Sequence, residues 1–436
     1  MSETATEDRR RSRPLPAATA VAFLLLVVAV PSCAAGESAS GLGASEATAI
    51  LAEVAPEVEA IRGLRFERPV EARVIDDARA RAHVTRRFKK FYTDEEASAR
   101  QRVLRLLGLV PPTTDVLGEF LDVIEEQAGG FYDPETESFF LLGDMPRGML
   151  PMLASHELDH ALEDQHFDLD ARLRAAPDDD DAFAVSAVHE GSATLVMTVW
   201  ASRAAAASRL RAEDLTALRE SDAGRGAKLQ EMPAVLRRDL IGSYILGAAF
   251  LLRGRPAASV GAAIPVADVN RAFRDGPRSS EQILHPEKYW DAARRDEPLR
   301  VEIRKASRVL GTGYEREGDG VLGELSIGVL VGAGTPGIDE AAGRPADAWT
   351  SVAASGWGGD RWEVWSKGGR GIAILATAWD SEKDAEEFAA ALPSRDGLAW
   401  ARAGDRVAVV AGEAGRGLAD VAREIVRGMR VGRGAR

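Results

Sequence analysis

The residues best suited to chemistry lie in one short segment, His156-Glu157-Leu158-Asp159-His160. On a helix, residues i and i+4 share a face, so both imidazoles can reach one metal ion. Glu157 lies beside them, where its carboxylate can take a proton from a metal-bound water. The spacing therefore predicts a hydrolytic metal centre. The alternative interpretation is a surface helix that carries two solvated histidines.

The metal predicted at this segment is zinc. Cys33 is the only cysteine, so a cysteine-based zinc cluster is excluded and the ligands must be nitrogen and oxygen atoms. Catalytic zinc takes three protein ligands and leaves one position for water. We therefore expect Zn²⁺ as the cofactor and a third protein ligand from elsewhere in the chain.

Glu190 is the first candidate for the third ligand. It is the only carboxylate in the mainly apolar segment 182–202. Burial of an unpaired carboxylate is unfavourable, and coordination to a metal removes that penalty. The small residues Gly191, Ala193 and Thr194 would let this helix approach the histidine helix closely. The alternative is a glutamate that is paired with an arginine or exposed.

His166 is the second candidate for the third ligand. With His156 and His160 it has the spacing HExxHxxxxxH, which matches metzincin zinc proteases. That pattern requires a glycine where this chain has Glu163, and Glu163 favours a helix that continues and carries His166 away. Both candidates stay open at this point.

Three further polar residues near these candidates are expected to support the site. His189 is adjacent to Glu190 but about 100° further round the helix, so we interpret it as a packing or ligand-orienting residue. Asp159 and Asp164 are candidates to hold the other ring nitrogens of the metal-binding histidines. The alternative for both aspartates is a solvated helix face.

Helices and one hairpin must position these residues. Pro151 favours a helix start, and the acidic run at 177–181 favours the start of another helix. The aromatic-rich segment 129–142 is typical of a β-hairpin around Asp133-Pro134. The remaining predicted elements of this half are a helix at 46–62, a strand within 64–74, helices over most of 77–127, and long helices at 182–211 and 233–253.

The composition changes near residue 315, and six of the eight tryptophans follow that point. The predicted order there is a glycine-rich turn at 356–360, strands at 362–366 and 371–379, a helix at 382–392, strands at 398–402 and 406–410, and a helix at 417–429. The tryptophans are interpreted as core residues, and a glycan- or peptide-binding face is the alternative. The predicted fold class is therefore α+β: a mainly helical domain with a small sheet at 46–310, and a smaller Trp-rich α+β domain at 315–436.

The N-terminus predicts export. A basic stretch with four arginines precedes the apolar run 17–30, and Cys33 follows. This is the pattern of a signal peptide, here 1–32. The position of Cys33 resembles a bacterial lipobox, so we expect lipidation of Cys33, a flexible tether at 33–45, and a protein anchored to a membrane of the bacterial cell envelope. Plain secretion is the alternative.

Composition and motifs also exclude some partners. The formal net charge is −13, so the chain lacks the basic footprint of a nucleic-acid-binding protein. The segment Gly332–Gly337 matches GxGxxG, but Pro336 makes the helix that a dinucleotide site requires poor. We expect no nucleic acid and no nucleotide cofactor.

At HELDH and Glu190 the sequence resembles the zincin metallopeptidases of the gluzincin type. It is more similar still to a group of bacterial secreted or lipoprotein zinc metallopeptidases, through residues 156–170, 189–197, 277–290 and 356–365. The resemblance implies a small twisted sheet, an active-site helix, and an edge strand supplied by the hairpin, to which a peptide would add as a further strand. Thr194 departs from the aspartate that thermolysin-like members carry four residues after the ligand glutamate.

The function that follows is a zinc-dependent peptidase acting on a peptide or protein substrate. Glu157 would accept a proton from the attacking water and pass it to the leaving amine, while a further donor stabilises the oxyanion. His285, Tyr289 and Tyr244 are the candidates for that donor, with core packing as the alternative for both tyrosines. One rival function is a catalytically inactive, metal-binding envelope lipoprotein that serves as a binding scaffold. Another is a lipoprotein without metal. The sequence also leaves open whether the helix at 46–62 covers the cleft as a latency segment.

Overall fold

The computed structural model describes residues 43–127, 129–142, 147–210, 227–333, 349–412 and 417–433. In this part of the chain the fold class is α+β, as predicted. The predicted leader, Cys33 and nearly all of the predicted tether lie outside the described residues, as does most of the GxGxxG segment. These remain predictions.

The first part of the chain is mainly helical. Its helices are α1 (Ala44–Arg62), α2 (Asp77–Phe91), α3 (Asp94–Leu107), α4 (Val116–Gln127), α5 (Leu150–Phe167), α6 (Leu169–Ala175), α7 (Asp179–Ala206), α8 (Ala227–Glu231), α9 (Ala234–Leu251), α10 (Val266–Arg274), α11 (Ser280–Leu284) and α12 (Glu287–Trp290). Its strands are β1 (Glu71–Ile75), β2 (Gly130–Asp133) and β3 (Ser138–Leu142). The helices predicted at 46–62, across 77–127, from Pro151, after 177–181 and at 233–253 are all present.

The second part of the chain is richer in strands. These are β4 (Leu299–Glu302), β5 (Glu315–Gly320), β6 (Trp357–Lys367), β7 (Arg370–Trp379), β8 (Leu398–Ala403), β9 (Arg406–Gly412) and β10 (Arg430–Arg433). The helices between and after them are α13 (Ala306–Leu310), α14 (Gly323–Leu330), α15 (Glu382–Ala391) and α16 (Leu418–Gly428). The order of strands and helices after residue 360 agrees with the sequence prediction.

The small sheet of the first part has the strand order β1-β3-β2, with β1 parallel and β2 antiparallel to β3. β2 and β3 form the predicted hairpin, and β2 is at an edge of the sheet. Bonded and non-bonded residue pairs alternate along an antiparallel ladder. The Leu142 amide donates to the Gly129 carbonyl (2.9 Å), so the amide of Tyr132, three residues along, points away from β3.

The strand predicted within 64–74 begins later than expected, at Glu71. Pro69 has no amide hydrogen and cannot take part in a strand ladder as a donor. The amides of Glu67 and Arg68 donate instead to the side-chain oxygen of Gln165 in α5 (2.8 and 3.2 Å). The segment before Pro69 is therefore bound to α5 rather than to the sheet.

The second sheet has five strands in the order β5-β6-β7-β9-β8, and neighbouring strands are antiparallel. Side chains alternate between its faces, as strand geometry requires. Ala373 and Leu375 of β7 face the main hydrophobic core together with α15. Ile372 and Ile374 face a second core that includes α16. Helices therefore cover both faces of the sheet.

Most of the glycine-rich segment at 356–360 is strand rather than the predicted turn, and Gly356 alone of these residues lies in a turn, with a φ of 79°. β6 begins at Trp357 and has an irregularity between Trp357 and Gly359. A Cβ on Gly359 would lie 2.3 Å from the carbonyl oxygen of Leu299 in β4. The glycine is required here because β4 approaches β6 closely, so it does not mark a chain reversal.

The predicted domain boundary at 310–315 does not coincide with a break in packing. β4 precedes that boundary and pairs with β10 at the other end of the second part, with Val301 opposite Val431. The main core also extends from the helices of the first part to Trp362 and Leu375 of the second sheet. The division into two domains stays a prediction, and the two parts pack on each other directly.

Helix α7 is long and apolar enough to cross a membrane by length and composition alone. However, 83% of its most apolar window is buried within the protein. Buried core helices meet the same criterion, so this helix is weak support for a membrane span. The apolar run of α9 is likewise packed inside, as the sequence predicted, and Leu246, Phe250 and Leu251 are fully buried.

Candidate metal centre

Helix α5 carries the HELDH segment through the core. Pro151 lies in the first turn, where its missing amide hydrogen is tolerated. The helix continues beyond the segment to Phe167 and ends at Asp168, whose backbone is left-handed (φ 51°). His156 and His160 therefore share one face, and their Nε2 atoms lie 3.0 Å apart.

Glu190, in the middle of α7, completes a cluster with these two histidines. Its Oε2 atom lies 3.2 Å from Nε2 of His156 and 3.4 Å from Nε2 of His160. The three candidate ligand atoms lie within 4.8 Å of one another, and all three residues are buried. The structure therefore brings Glu190 to the histidine pair, from a position more than thirty residues away in the chain.

Burial and charge act in opposite directions on these groups. Burial lowers the pKa of His156 to about 4. Burial also disfavours the charged form of His160, but the charge and hydrogen bond of Glu190, together with the charges of Glu157 and Glu163, outweigh burial and raise the pKa of His160 to about 10. Burial would raise the pKa of Glu190, yet the neighbouring histidines lower it overall. Considered alone, the protein groups thus form an imidazolium–carboxylate pair beside a neutral imidazole.

The donor set fits a zinc ion. Two imidazole nitrogens and one carboxylate oxygen are the ligands of His₂Glu catalytic zinc sites. Glu190 Oε1 is buried and has no hydrogen-bond partner among the described residues. Nδ1 of His156 is in the same situation. A cation in contact with the Glu190 carboxylate would compensate for its burial in an apolar helix.

Glu157 lies next to the cluster on the side of the hairpin. Its Oε2 atom accepts a hydrogen bond from the outward-pointing amide of Tyr132 in β2 (2.6 Å). Its Oε1 atom is buried and has no hydrogen-bond partner among the described residues. Burial raises the pKa of Glu157 to about 8. The carboxylate is therefore fixed by one oxygen and has the other available for a small polar molecule.

Tyr244, the third candidate oxyanion donor, is the one that the structure places at the cluster. It projects from α9, and its ring stacks on that of His156 with 6.1 Å between centroids. The other two candidates have partners elsewhere. His285 Nε2 lies 3.0 Å from an oxygen of Glu324 in α14, and the buried Tyr289 hydroxyl donates to the carbonyl of Asp275.

His166 lies on the surface, outside the cluster, because α5 continues through Glu163. Its Nε2 atom is 2.8 Å from the carbonyl oxygen of Arg65, so the structure does not bring it to His156 and His160. His189 is not part of the cluster, and its ring stacks on Phe273 at 5.0 Å with an angle of 2°.

Neither Asp159 nor Asp164 holds the other ring nitrogen of His156, contrary to the sequence prediction, because His156 Nδ1 has no hydrogen-bond partner among the described residues. Asp164 instead supports the hairpin. Its two oxygens accept hydrogen bonds from the Tyr132 hydroxyl (3.0 Å) and the Leu169 amide (3.0 Å). Tyr132 is therefore held at both ends by α5, through its amide at Glu157 and its hydroxyl at Asp164. Sequence reasoning did not single out Tyr132, although its position in the aromatic hairpin was visible.

Asp159 is part of a buried polar group that the sequence did not indicate. The Ser192 hydroxyl lies within donating distance of Asp159 (2.9 Å) and Glu163 (2.5 Å). The guanidinium of Arg62, at the end of α1, donates to Glu163 (3.0 Å) and lies 3.5 Å from Asp159. Burial raises the pKa of Asp159 and, further, that of Glu163. No local sequence pattern indicates that Arg62 is buried in this group, because a basic residue in the last turn of a helix is common.

Gly191 was predicted to bring α7 close to the histidine helix α5, but the helix that it approaches closely is α9. A Cβ on Gly191 would lie 2.3 Å from the carbonyl carbon of Gly247 in α9. In return, a Cβ on Gly247 would lie 1.9 Å from the carbonyl oxygen of Ala187. These glycines therefore permit the crossing of α7 and α9, which brings Tyr244 as well as Glu190 to the cluster.

A family described as Domain of unknown function (DUF8575) matches residues 308–431. The match begins close to the predicted start of the second domain and includes none of the cluster residues. Comparisons with curated proteins and with solved structures give no match.

Proposed function

We propose that this protein is a zinc-dependent peptidase whose metal ligands are His156, His160 and Glu190 and whose general base is Glu157. The observation that carries the proposal is the convergence of the three buried ligand atoms within 4.8 Å, directly beside a buried carboxylate of the same helix. The spacing HExxH in a helix is typical of hydrolytic zinc sites. The resemblance to gluzincins supports the same assignment.

A bound zinc ion would supply a water of lowered pKa and polarise the carbonyl oxygen of the substrate. The residues of the chain would do the remaining work. Glu157 accepts the proton of the attacking water at Oε1 and delivers it to the leaving nitrogen, while the Tyr132 amide holds Oε2 in place. The Tyr244 hydroxyl stabilises the oxyanion.

The proposed substrate is a peptide or an unfolded segment of a protein. β2 is an edge strand, and a peptide that adds along it would place its backbone beside Glu157. The proposed location is the bacterial cell envelope, where lipidation of Cys33 would anchor the protein to a membrane. The location and the anchor both rest on the sequence of the N-terminus.

Elemental analysis tests the metal centre. The wild-type protein should contain about one zinc per chain. Glu190→Ala should lose this zinc, because two imidazoles alone leave the ion with too few ligands. His166→Ala is the matched control and should keep it, because His166 is bound to the carbonyl of Arg65. Zinc that is lost in His166→Ala and retained in Glu190→Ala would move the site to the metzincin arrangement.

Cleavage of a peptide library, followed by mass spectrometry, tests the activity. Glu157→Gln should keep its zinc and lose hydrolysis, because an amide cannot accept the proton. Wild-type protein that binds zinc but cleaves no peptide would favour the scaffold function instead. Protein that binds no zinc even after reconstitution would contradict the enzyme assignment altogether.

A further inference from the structure

A group of buried polar side chains lies next to the proposed zinc ligands. It consists of Asp159 and Glu163 from α5, Ser192 from α7 and Arg62 from α1. All four side chains are buried. We call this set the Arg62 network. It joins three helices, and two of them, α5 and α7, carry the proposed metal ligands close to this network.

Ser192 connects the two ligand-bearing helices. It lies two residues after Glu190 in α7, and its hydroxyl contacts both Asp159 and Glu163 of α5 (2.9 and 2.5 Å). Asp159 is adjacent to His160 in the chain. The Ser192 hydroxyl therefore helps to set the position of α7 relative to α5, and it does so next to the residues that carry the ligand atoms.

Arg62 balances the charge of this connection. Its Nε atom donates to Glu163 (3.0 Å), and one terminal nitrogen donates to Asn270 of α10 (2.6 Å). Burial of two neighbouring carboxylates is unfavourable, and a nearby cation offsets part of that cost. Arg62 supplies that cation, and none of its side chain is exposed to solvent.

Phe273 forms a second route from Arg62 to the centre. The Arg62 guanidinium lies over its ring at 5.4 Å. His189 stacks on the same ring at 5.0 Å and precedes the ligand Glu190. The position of α7 therefore depends on Arg62 through both charge and packing.

We propose that Arg62 and Ser192 are positioning residues for the metal centre, because they set the separation between the histidines of α5 and Glu190 of α7. The proposal rests on the proposed function only in taking these residues as zinc ligands. It also makes α1 a structural part of the site. The helix at 46–62, for which the sequence left a latency role open, thus supports the metal centre through Arg62.

Zinc affinity and the absorption spectrum of the Co²⁺-substituted protein test this proposal, since neither requires an active enzyme. Ser192→Ala and Arg62→Met should each weaken zinc binding roughly 10- to 100-fold, the usual effect of losing groups that orient ligands. Their Co²⁺ bands should shift, because the ligand geometry changes. Arg62→Lys should restore part of the affinity by returning the positive charge.

Arg100→Met is the matched control. Arg100 is also a buried arginine between two carboxylates, Asp179 at the start of α7 and Asp239 in α9. Its loss should lower stability but leave zinc affinity and the Co²⁺ spectrum unchanged. If Arg62→Met fails to fold, Ser192→Ala decides the matter, because it removes no charge.

Two results would overturn the proposal. The first is wild-type zinc affinity and an unchanged Co²⁺ spectrum in folded Ser192→Ala. The second is an equal loss of affinity in Arg100→Met, which would show that the effect is one of general stability. Failure of the wild-type protein to bind zinc is a separate result, because it contradicts the proposed function itself.

Discussion

At the scale of single residues, the proposed chemistry depends on which polar atoms are already engaged. Glu157 uses one oxygen to bind the Tyr132 amide and keeps the other without a partner among the described residues. Tyr244 stacks beside His156, and the Tyr289 hydroxyl donates to the Asp275 carbonyl. Because its ring lies at the cluster, Tyr244 is the proposed oxyanion donor.

Replacement of Tyr244 by phenylalanine should separate kcat from KM. Loss of one oxyanion donor lowers kcat by roughly 100-fold or more, while KM and zinc content should change little because the ring remains. Tyr289→Phe is the control, and we expect lower stability by about 1 kcal/mol with an unchanged kcat. Steady-state kinetics on a cleaved peptide measures both. A lower kcat in Tyr289→Phe with normal Tyr244→Phe would reverse the assignment.

At the scale of elements, the centre depends on two close helix crossings. α7 meets α5 through the Ser192 hydroxyl and the proposed metal ligands, and it meets α9 through Gly191 and Gly247. The hairpin adds the third side, since Tyr132 binds α5 at Glu157 and Asp164. Glycines at the crossing with α9 and hydrogen bonds at the crossing with α5 allow α7 to make both contacts.

Gly191→Ala should destabilise the protein strongly. The added Cβ would lie 2.3 Å from backbone of α9, which cannot move without displacing the whole helix. Overpacking of this kind lowers the free energy of unfolding by roughly 1–3 kcal/mol or more. The control is Gly432→Ala in β10, where a Cβ meets nothing within 4 Å. Urea unfolding compares the two, and equal stability of both variants would contradict the close crossing.

At the scale of the whole molecule, buried carboxylates join segments that are distant in sequence within each part of the chain. The run 177–181 starts α7, and each aspartate takes a different partner. Asp178 caps the helix by accepting from the Asp181 amide. Asp179 pairs with Arg100, Asp180 accepts from the Ser280 amide, and Asp181 pairs with Arg278. In the second part, Asp360 accepts from the Leu322 and Gly323 amides (both 2.9 Å).

Stability should fall as the pH rises from weakly acidic to neutral. Burial raises the pKa of Asp181 to about 7, of Asp360 to about 7 and of Asp239 to about 6, from an ordinary value of 3.8. Between these values the folded protein binds more protons than the unfolded chain. The free energy of unfolding of metal-free protein therefore decreases as the pH rises through this range.

Urea unfolding at several pH values between about 4.5 and 8 measures this dependence. Asp181→Asn removes one titrating group and should reduce the slope by up to ~1.4 kcal/mol per pH unit. Stability that increases steadily with pH over this range would show that these carboxylates are ionised in the folded protein.

The sequence by itself determined the features that local geometry controls. The four-residue spacing of His156 and His160 places them on one face of any helix, whatever surrounds it. Pro151, the acidic run at 177–181 and the aromatic hairpin set starts and turns through neighbouring residues alone. Local patterns of side chains likewise predicted the order of strands and helices after residue 360.

Only the tertiary structure decided which distant residues join the histidines. Glu190 and His166 were both open as third ligands, because the sequence does not say how α7 is rotated against α5. Tyr244 and Arg62 reach the site from helices 80 or more residues away from their partners in α5. Their convergence depends on close packing at Gly191 and Gly247 and on the charge balance of the Arg62 network, and both are properties of several helices together.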